Sequence, residues 1–369
     1  MYSKTGWLKN RLKEVKKSET YSSGEYSDST TATGTGTKEM IKLNSNENIL
    51  IPLESLSGIF KEVLEDLDPR TYPQNEKMEL VKALSNYLDL PSEYFTIGNG
   101  SDELIETILT AFIRQTEKTL SIMPTFSMYK IITESRGKIF EQTPLGEGFS
   151  LDPGTFLSKV TSKTVMCILC SPNNPTGNQF NRETVTTILK EFKGLVLLDE
   201  AYVEFAPFSL IKLIKDFDNL IILRTFSKIF GLAGLRIGYS VASPNITSLI
   251  RKIQLPWNVN KFSMRMATKM LEKKENFLQV LEIVKKERKR LIKRLNRISG
   301  VEAFKSDANF VLFKTNKDAD AVFNELRNKG ILIRSIAGIP RLNKCLRVTI
   351  GLPTMNDQFI KTLQEICGG

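Results

Sequence analysis

The sequence predicts an α/β protein: a mostly parallel central sheet with helices on both faces, plus a smaller α+β domain. Three observations carry that reading. Between about Leu56 and Val259, short and nearly continuous apolar runs alternate with segments of helical periodicity. Strands buried on both faces and joined by crossover helices give that pattern. Beyond it, a long basic amphipathic stretch leads into apolar runs and helices in a different order. The length, 369 residues, suffices for a large domain with a smaller one beside it.

The elements follow in chain order. Residues 1–17 read as a short amphipathic helix with Trp7, Leu8, Leu12 and Val15 on one side, and residues 18–37, rich in Ser, Thr and Gly, as a flexible arm. Residues 1–40 are thus an N-terminal helix and arm, and 41–55 a segment that joins the small domain. The large domain spans 56–260. Its expected strands lie at Phe95–Ile97, Thr119–Ile122, Val165–Cys170, Leu195–Leu198, Leu220–Leu223 and Ile237–Val241. Asn181 can cap a helix that runs through Thr184, Ile188 and Leu189 and stops at Gly194. The small domain, 261–369, opens with one long helix from about Phe262 to Arg297. A strand at Phe310–Phe313, a helix at 318–329, strands at Ile331–Arg334 and Leu346–Ile350, and a helix from about Met355 follow.

Composition narrows the function classes. No apolar run approaches the ~20 residues that a bilayer requires. Met1 to Lys17 is basic but has neither an apolar centre nor a small-residue cleavage site, so no secretory signal is expected there. The chain is expected to be cytoplasmic, without a membrane partner. Its formal charge of +11 suits phosphorylated metabolites, nucleic acid or simply a lysine-rich solvated surface. The densest basic run, 285–297, carries Leu281, Val284, Leu291, Ile292 and Leu295 at helical spacing, which reads as a helix with a charged outer face. No zinc-ligand spacing or RNA-binding aromatic motif accompanies it, so neither a metal nor a nucleic-acid partner is expected.

Cys167 and Cys170 form a C-x-x-C inside an apolar strand, where residues three apart point to opposite faces; buried reduced thiols fit better than a metal site or a disulfide. The chain has no histidine. That excludes Ser-His-Asp and Cys-His catalysis and imidazole metal sites. Proton transfer near neutral pH must come from a lysine, a carboxylate, a tyrosine or a cofactor.

In open α/β sheets, ligands bind beyond the carboxyl ends of the strands. Val165–Cys170 is followed by Ser171-Pro172-Asn173-Asn174-Pro175-Thr176-Gly177, Leu195–Leu198 by Asp199-Glu200-Ala201-Tyr202, and Leu220–Leu223 by Arg224-Thr225-Phe226-Ser227-Lys228. Successive strands thus deliver an amide, a carboxylate and a lysine to one rim. Thr225, Ser227 and Arg236 can hold a phosphate while the Lys228 amine reaches a carbonyl on the same molecule. Gly98–Glu103 follows another strand and opens an apolar helix whose first N–H groups make an anion cradle. Taken singly, these are a helix cap, a turn and a second cap; together, in this order on one sheet edge, they read as a site.

With these residues in view, the chain resembles the fold-type-I aminotransferases that use pyridoxal 5′-phosphate, and within them the histidinol-phosphate aminotransferases. The resemblance starts near Tyr21, more firmly at Lys42, and reaches the C-terminus. Besides the segments above, Leu43–Asn48, Tyr72-Pro73, Pro124–Tyr129, Gly234–Gly238, Ser306–Phe310 and Leu346–Gly351 carry it. Ile49 stands where the family has a proline.

The resemblance implies that 56–260 binds the cofactor. Lys228 would be the Schiff-base lysine and the base that shuttles the substrate's proton. Asp199 would pair with the pyridine nitrogen, Tyr202 and Asn174 with the ring hydroxyl oxygen, and Phe126 would stack on the ring. Ser101, Asp102, Thr225, Ser227 and Arg236 would hold the phosphate, joined by Tyr72 of a neighbouring subunit in a homodimer. On the substrate side, Arg347 would grip an anionic group, helped by Arg334, Asn46 and Tyr21. The implied reaction transfers an amino group between L-histidinol phosphate and 2-oxoglutarate in histidine biosynthesis. A threonine-phosphate decarboxylase or an aromatic aminotransferase on the same scaffold is the neighbouring reading. A nucleic-acid-binding protein using 285–297 is the reading from another class.

Overall fold

A computed structural model of the chain describes residues 4–17 and 40–368. Its strands are β1 (Ile41–Lys42), β2 (Phe95–Gly98), β3 (Lys118–Met123), β4 (Ile139–Pro144), β5 (Thr164–Cys170), β6 (Leu195–Asp199), β7 (Leu220–Thr225), β8 (Gly238–Ala242), β9 (Val301–Ala303), β10 (Phe310–Thr315), β11 (Ile331–Leu332), β12 (Arg334–Ser335) and β13 (Cys345–Thr349). Seven of them form the central sheet in the order β2-β8-β7-β6-β5-β3-β4. All pairings are parallel except those of β8 with β2 and β7. The expected mostly parallel sheet is therefore present, with one antiparallel strand set inside it. Edge strand β4 escapes the sequence pattern because it is half-exposed and reads Ile-Phe-Glu-Gln-Thr-Pro, not as an apolar run.

Alternate residues of the inner strands face opposite layers, as the period of two requires. Met166, Ile168 and Cys170 pack with Leu104, Ile108 and Tyr129 on one side. Cys167 and Leu169 pack with Val185 and Ile188 on the other. The two thiols are free and buried in different layers, as the strand geometry dictates. Asn181 caps helix Arg182–Glu191 by accepting from the Thr184 N–H at 2.8 Å.

The last third holds an antiparallel sheet in the order β12-β13-β10-β9, and β11 pairs in parallel with β1 of the N-terminal segment. Two expectations are corrected here. The helix expected over Phe262–Arg297 is two helices, Lys261–Glu272 and Glu275–Leu295. The buried stripe explains the break: Met264, Ala267 and Leu271 keep helical spacing, as do Phe277, Val280 and Val284, but Leu271 to Phe277 is six residues, one short of two turns. The strand expected at Ile331–Arg334 divides between two partners, β11 with β1 and β12 with β13.

The basic run is not simply an outer face. Arg288 is buried and donates to the carbonyls of Phe205 (3.1 Å) and Ala308 (2.9 Å), while Arg290 pairs with Glu287 (2.7 Å) and Asp357 (2.5 Å). These guanidiniums tie their helix to its neighbours. The expected arm at 18–37 lies outside the described residues. Of the expected apolar side of the first helix, Lys4–Lys17, Trp7, Leu8 and Leu12 are exposed. Among the described residues, no helix is long and apolar enough to cross a membrane and no cluster could hold a metal.

Candidate active site

A cavity of 480 Å³ opens where β5, β6 and β7 end, and Asn46, Ser101, Asp102, Phe126, Asn174, Asp199, Tyr202, Thr225, Ser227, Lys228, Arg236, Arg334 and Arg347 line it. Among the described residues, one expected site residue does not line it. Tyr72 is exposed and stacks on Trp257 at 4.3 Å between ring centroids, and Tyr21 lies outside the described residues.

Asp199 closes β6 and is buried. Its Oδ2 accepts from the Tyr129 hydroxyl at 2.6 Å and its Oδ1 from the Ala201 N–H at 2.9 Å. Burial pushes this carboxyl up to about 6, against those two bonds, which favour the charged form. Lys228 follows β7, and its Nζ donates to the Ser45 carbonyl at 3.3 Å. Burial, and then the charge of Arg347, lower this amine from 10.5 to about 8. Tyr202 places its ring 5.5 Å from the lysine nitrogen. Its hydroxyl accepts from Asn46 Nδ2 at 3.0 Å, and burial pushes that phenol up.

Helix Gly100–Phe112 starts directly after β2 and takes no side-chain cap from Asn99. Gly100 has φ +83°, and a Cβ there would stand 2.8 Å from Nη2 of Arg236. A Cβ on Gly238 would stand 2.7 Å from the Ser101 nitrogen. Gly238 lets three backbone segments meet around one spot, and Gly100 leaves room for the Arg236 guanidinium beside it. Arg236 donates to Asp102 Oδ2 at 3.1 Å there, and Thr225 Oγ1 accepts from the Ser227 N–H at 3.1 Å.

Elsewhere on the cavity wall, β12 and β13 set Arg334 directly opposite Arg347. Like charges opposed across a strand pair repel, so this part of the cavity wall is cationic. Arg347 is buried, lies 5.2 Å from the Phe310 ring centroid, and donates to Asn174 Oδ1 (2.5 Å) and the Asn44 carbonyl (2.7 Å).

Buried asparagines join the loops that form this wall. Asn173 donates to the Pro124 carbonyl (2.9 Å) and accepts from Thr125 (2.8 Å), fixing the Phe126 loop against the Asn174 loop. Asn309 donates to the Asn46 carbonyl (3.1 Å), and Asn48 to the Ile229 carbonyl (2.8 Å) beside Lys228. Behind the rim, Arg224 is buried with Glu200 (2.7 Å), Glu204 (3.3 Å) and Ser209 (2.6 Å).

Sequence reasoning missed Tyr129, Asn44, Ser45 and Glu47, all at the cavity or on its buried acid. Tyr129 carried a signal: it stands three residues after Phe126, at the second position of helix Met128–Ser135. Asn44, Ser45 and Glu47 come from a segment with no periodicity to read. The structure brings them in by seating Asn46 on Thr349, whose Oγ1 accepts the Asn46 N–H at 2.9 Å.

Comparison with known proteins adds an independent line. The profile described as "Aminotransferase class I and II" matches residues 38–363. A histidinol-phosphate aminotransferase of Thermoanaerobacter sp. (strain X514) is 36% identical over 330 residues, covering 88% of this chain and 92% of that protein. Among solved structures, the histidinol-phosphate aminotransferase of Clostridium acetobutylicum superposes with a TM-score of 0.83 at 30% identity, covering 89% of this chain and 99% of the other. The enzyme of that name from Sinorhizobium meliloti, solved in complex with pyridoxal-5'-phosphate, has a TM-score of 0.83 at 24% identity, covering 94% and 99%.

Proposed function

We propose a function for this chain from its family: it belongs to the class I and II aminotransferases and, within them, to the histidinol-phosphate aminotransferases. It exchanges an amino group between L-histidinol phosphate and 2-oxoglutarate, with pyridoxal 5′-phosphate as cofactor. The observation that carries this reading is one cavity shared by Lys228, the buried Asp199 and the opposed Arg334 and Arg347.

The donor set fits that cofactor. The cradle at Gly100, Gly238, Ser101 and Arg236 has no room for added side-chain atoms and suits a phosphate held on backbone N–H groups. A buried carboxylate suits a protonated ring nitrogen. A lysine lowered to about 8 has free amine available for an aldehyde.

When bound, the cofactor supplies an aldehyde that links to amines and a ring that takes up electrons from the α-carbon. Ser101 and Asp102 N–H groups, Thr225, Ser227 and Arg236 would hold its phosphate. Phe126 would stack on the ring, and Tyr202 and Asn174 would hydrogen-bond its hydroxyl oxygen. Asp199 would pair with the protonated ring nitrogen, and its low-dielectric surroundings would strengthen that pairing.

Lys228 Nζ would move the proton between the substrate α-carbon and the C4′ carbon of the cofactor, the base role that no histidine can fill here. Arg347 presents a planar fork to the substrate anion, and Arg334 adds a second cation, which suits a phosphorylated amine. Tyr72, exposed and away from its own cavity, would reach the phosphate in a second copy of the chain. Neither decarboxylation nor nucleic-acid binding draws support from this geometry.

The test is a spectrum of the purified protein with each amine donor. A yellow protein that bleaches with histidinol phosphate is expected, and a Lys228→Ala variant that cannot turn over. Ready transamination of aromatic amino acids with none of histidinol phosphate would overturn the substrate. Carbon dioxide release without a keto product would overturn the reaction.

A further inference from the structure

Asp199 shares its buried site with a phenol that the mechanism above does not use. Tyr129 is fully buried in the layer formed with Leu104, Ile108 and Ile168, and its ring meets Phe126 edge-on at 5.5 Å between centroids. Its hydroxyl donates to Asp199 Oδ2 at 2.6 Å, and both groups are closed off from solvent. The buried side chains around it are otherwise apolar, apart from the Cys170 thiol, which also hydrogen-bonds the phenol, so Asp199 is the charged partner of this oxygen. A polar atom kept in such a place at the cost of desolvation belongs to a hydrogen bond that matters.

We propose that Tyr129 is a positioning residue for Asp199: its hydroxyl holds the carboxylate in its charged form and in one orientation toward the cavity, so that Asp199 can pair with the cofactor's ring nitrogen at neutral pH. The inference rests on the proposed cofactor. It extends that reading to a residue that touches neither substrate nor cofactor.

The sign follows from the groups around the carboxylate. Burial favours the protonated acid, as does the charge of Asp102 at the phosphate-side helix. The Tyr129 hydroxyl, the Ala201 N–H and the charge of Lys228 favour the carboxylate. The Cys170 thiol on β5 and the Tyr202 phenol also face this site, and both are held neutral by burial. With the balance near 6, losing one hydrogen bond to the charged form moves the acid toward neutral pH. The chain has no histidine, so no imidazole titrates in the same window.

The experiment titrates cofactor-free protein with pyridoxal 5′-phosphate between pH 5 and 8.5, for wild type, Tyr129→Phe, Asp199→Asn and the double variant. Tyr129→Phe keeps the ring and removes the oxygen. The acid-side midpoint, below which cofactor affinity falls, should move up by about one pH unit, the size of one hydrogen bond to a charged group. Affinity at pH 8.5 should change less than about threefold. In the Asp199→Asn background, adding Tyr129→Phe should move nothing, because the group it acts through is gone. The cofactor phosphate also titrates near 6, equally in every variant, so the difference between variants reports Asp199.

An unmoved midpoint, or a uniform loss of affinity at all pH values, would overturn the inference and leave Tyr129 a packing residue. Failure of wild type to bind pyridoxal 5′-phosphate would instead overturn the proposed function. If Tyr129→Phe does not fold, 3-fluorotyrosine placed at 129 keeps shape and donor with a more acidic phenol. It should move the midpoint down, and an unchanged midpoint would count against the inference.

Discussion

Replacing Arg347 with alanine tests the substrate end of the cavity most directly. This guanidinium is buried, and its two terminal nitrogens already donate to Asn174 Oδ1 at 2.5 Å and the Asn44 carbonyl at 2.7 Å. It is therefore held in one orientation before an anion arrives, and little side-chain entropy is lost on binding. A planar fork gripping a substrate anion makes two charge-assisted hydrogen bonds, each worth about 1.5–3 kcal/mol. Losing both would cost roughly 3–6 kcal/mol, or about a hundredfold to ten-thousandfold in kcat/KM.

Arg347→Lys keeps the charge and loses the fork, so it should recover part of that loss and not all of it. A second consequence follows from the charge. Arg347 helps to hold the Lys228 amine at about 8, so Arg347→Ala should raise it, and the limb of the rate profile that needs the free amine should shift to higher pH. Steady-state kinetics with histidinol phosphate and 2-oxoglutarate across pH 6.5–10 measure both effects. A kcat/KM within threefold of wild type, with an unshifted limb, would refute this account of Arg347.

The Lys228 amine is lowered from 10.5 to about 8, so the rate at which cofactor-free protein captures pyridoxal 5′-phosphate should rise through about pH 8 and level off above it; a rate still climbing at pH 10 would count against a lowered amine. Gly238→Ala puts a Cβ 2.7 Å from the Ser101 nitrogen and 2.9 Å from the Gly100 carbonyl carbon, so the cradle must shift, and cofactor affinity should fall by about tenfold or more; unchanged affinity would place the phosphate elsewhere. Arg224→Ala leaves the buried Glu200 and Glu204 without their guanidinium and should cost about 3–5 kcal/mol in urea unfolding; a loss under 1 kcal/mol would mean that water replaces it.

Much of the cavity was legible in one dimension because parallel strands end on the same rim. A polar residue within a few positions after an apolar run is thereby placed near that rim without further knowledge, as Asn174, Asp199 and Lys228 are. The helix that opens at Gly98–Glu103 was legible too, since that stretch follows an apolar run and precedes residues of helical apolar spacing.

Long-range pairing was not legible, because periodicity records which face is buried and not what covers it. Ile331–Arg334 reads as one apolar stretch, yet Ile331 meets Ile41 and Arg334 meets Arg347. The opposition of two arginines exists only once β12 lies antiparallel to β13. The helix break at Lys273-Lys274 shows as a slipped apolar stripe only once the buried face is known. Tyr129 and Asp199 are 70 residues apart and look like core and cap until a helix on one layer carries the phenol under the end of β6. Residue chemistry and local period are written along the chain, whereas the proton affinities of Asp199 and Lys228 come from burial, and burial arises only when distant segments close over them.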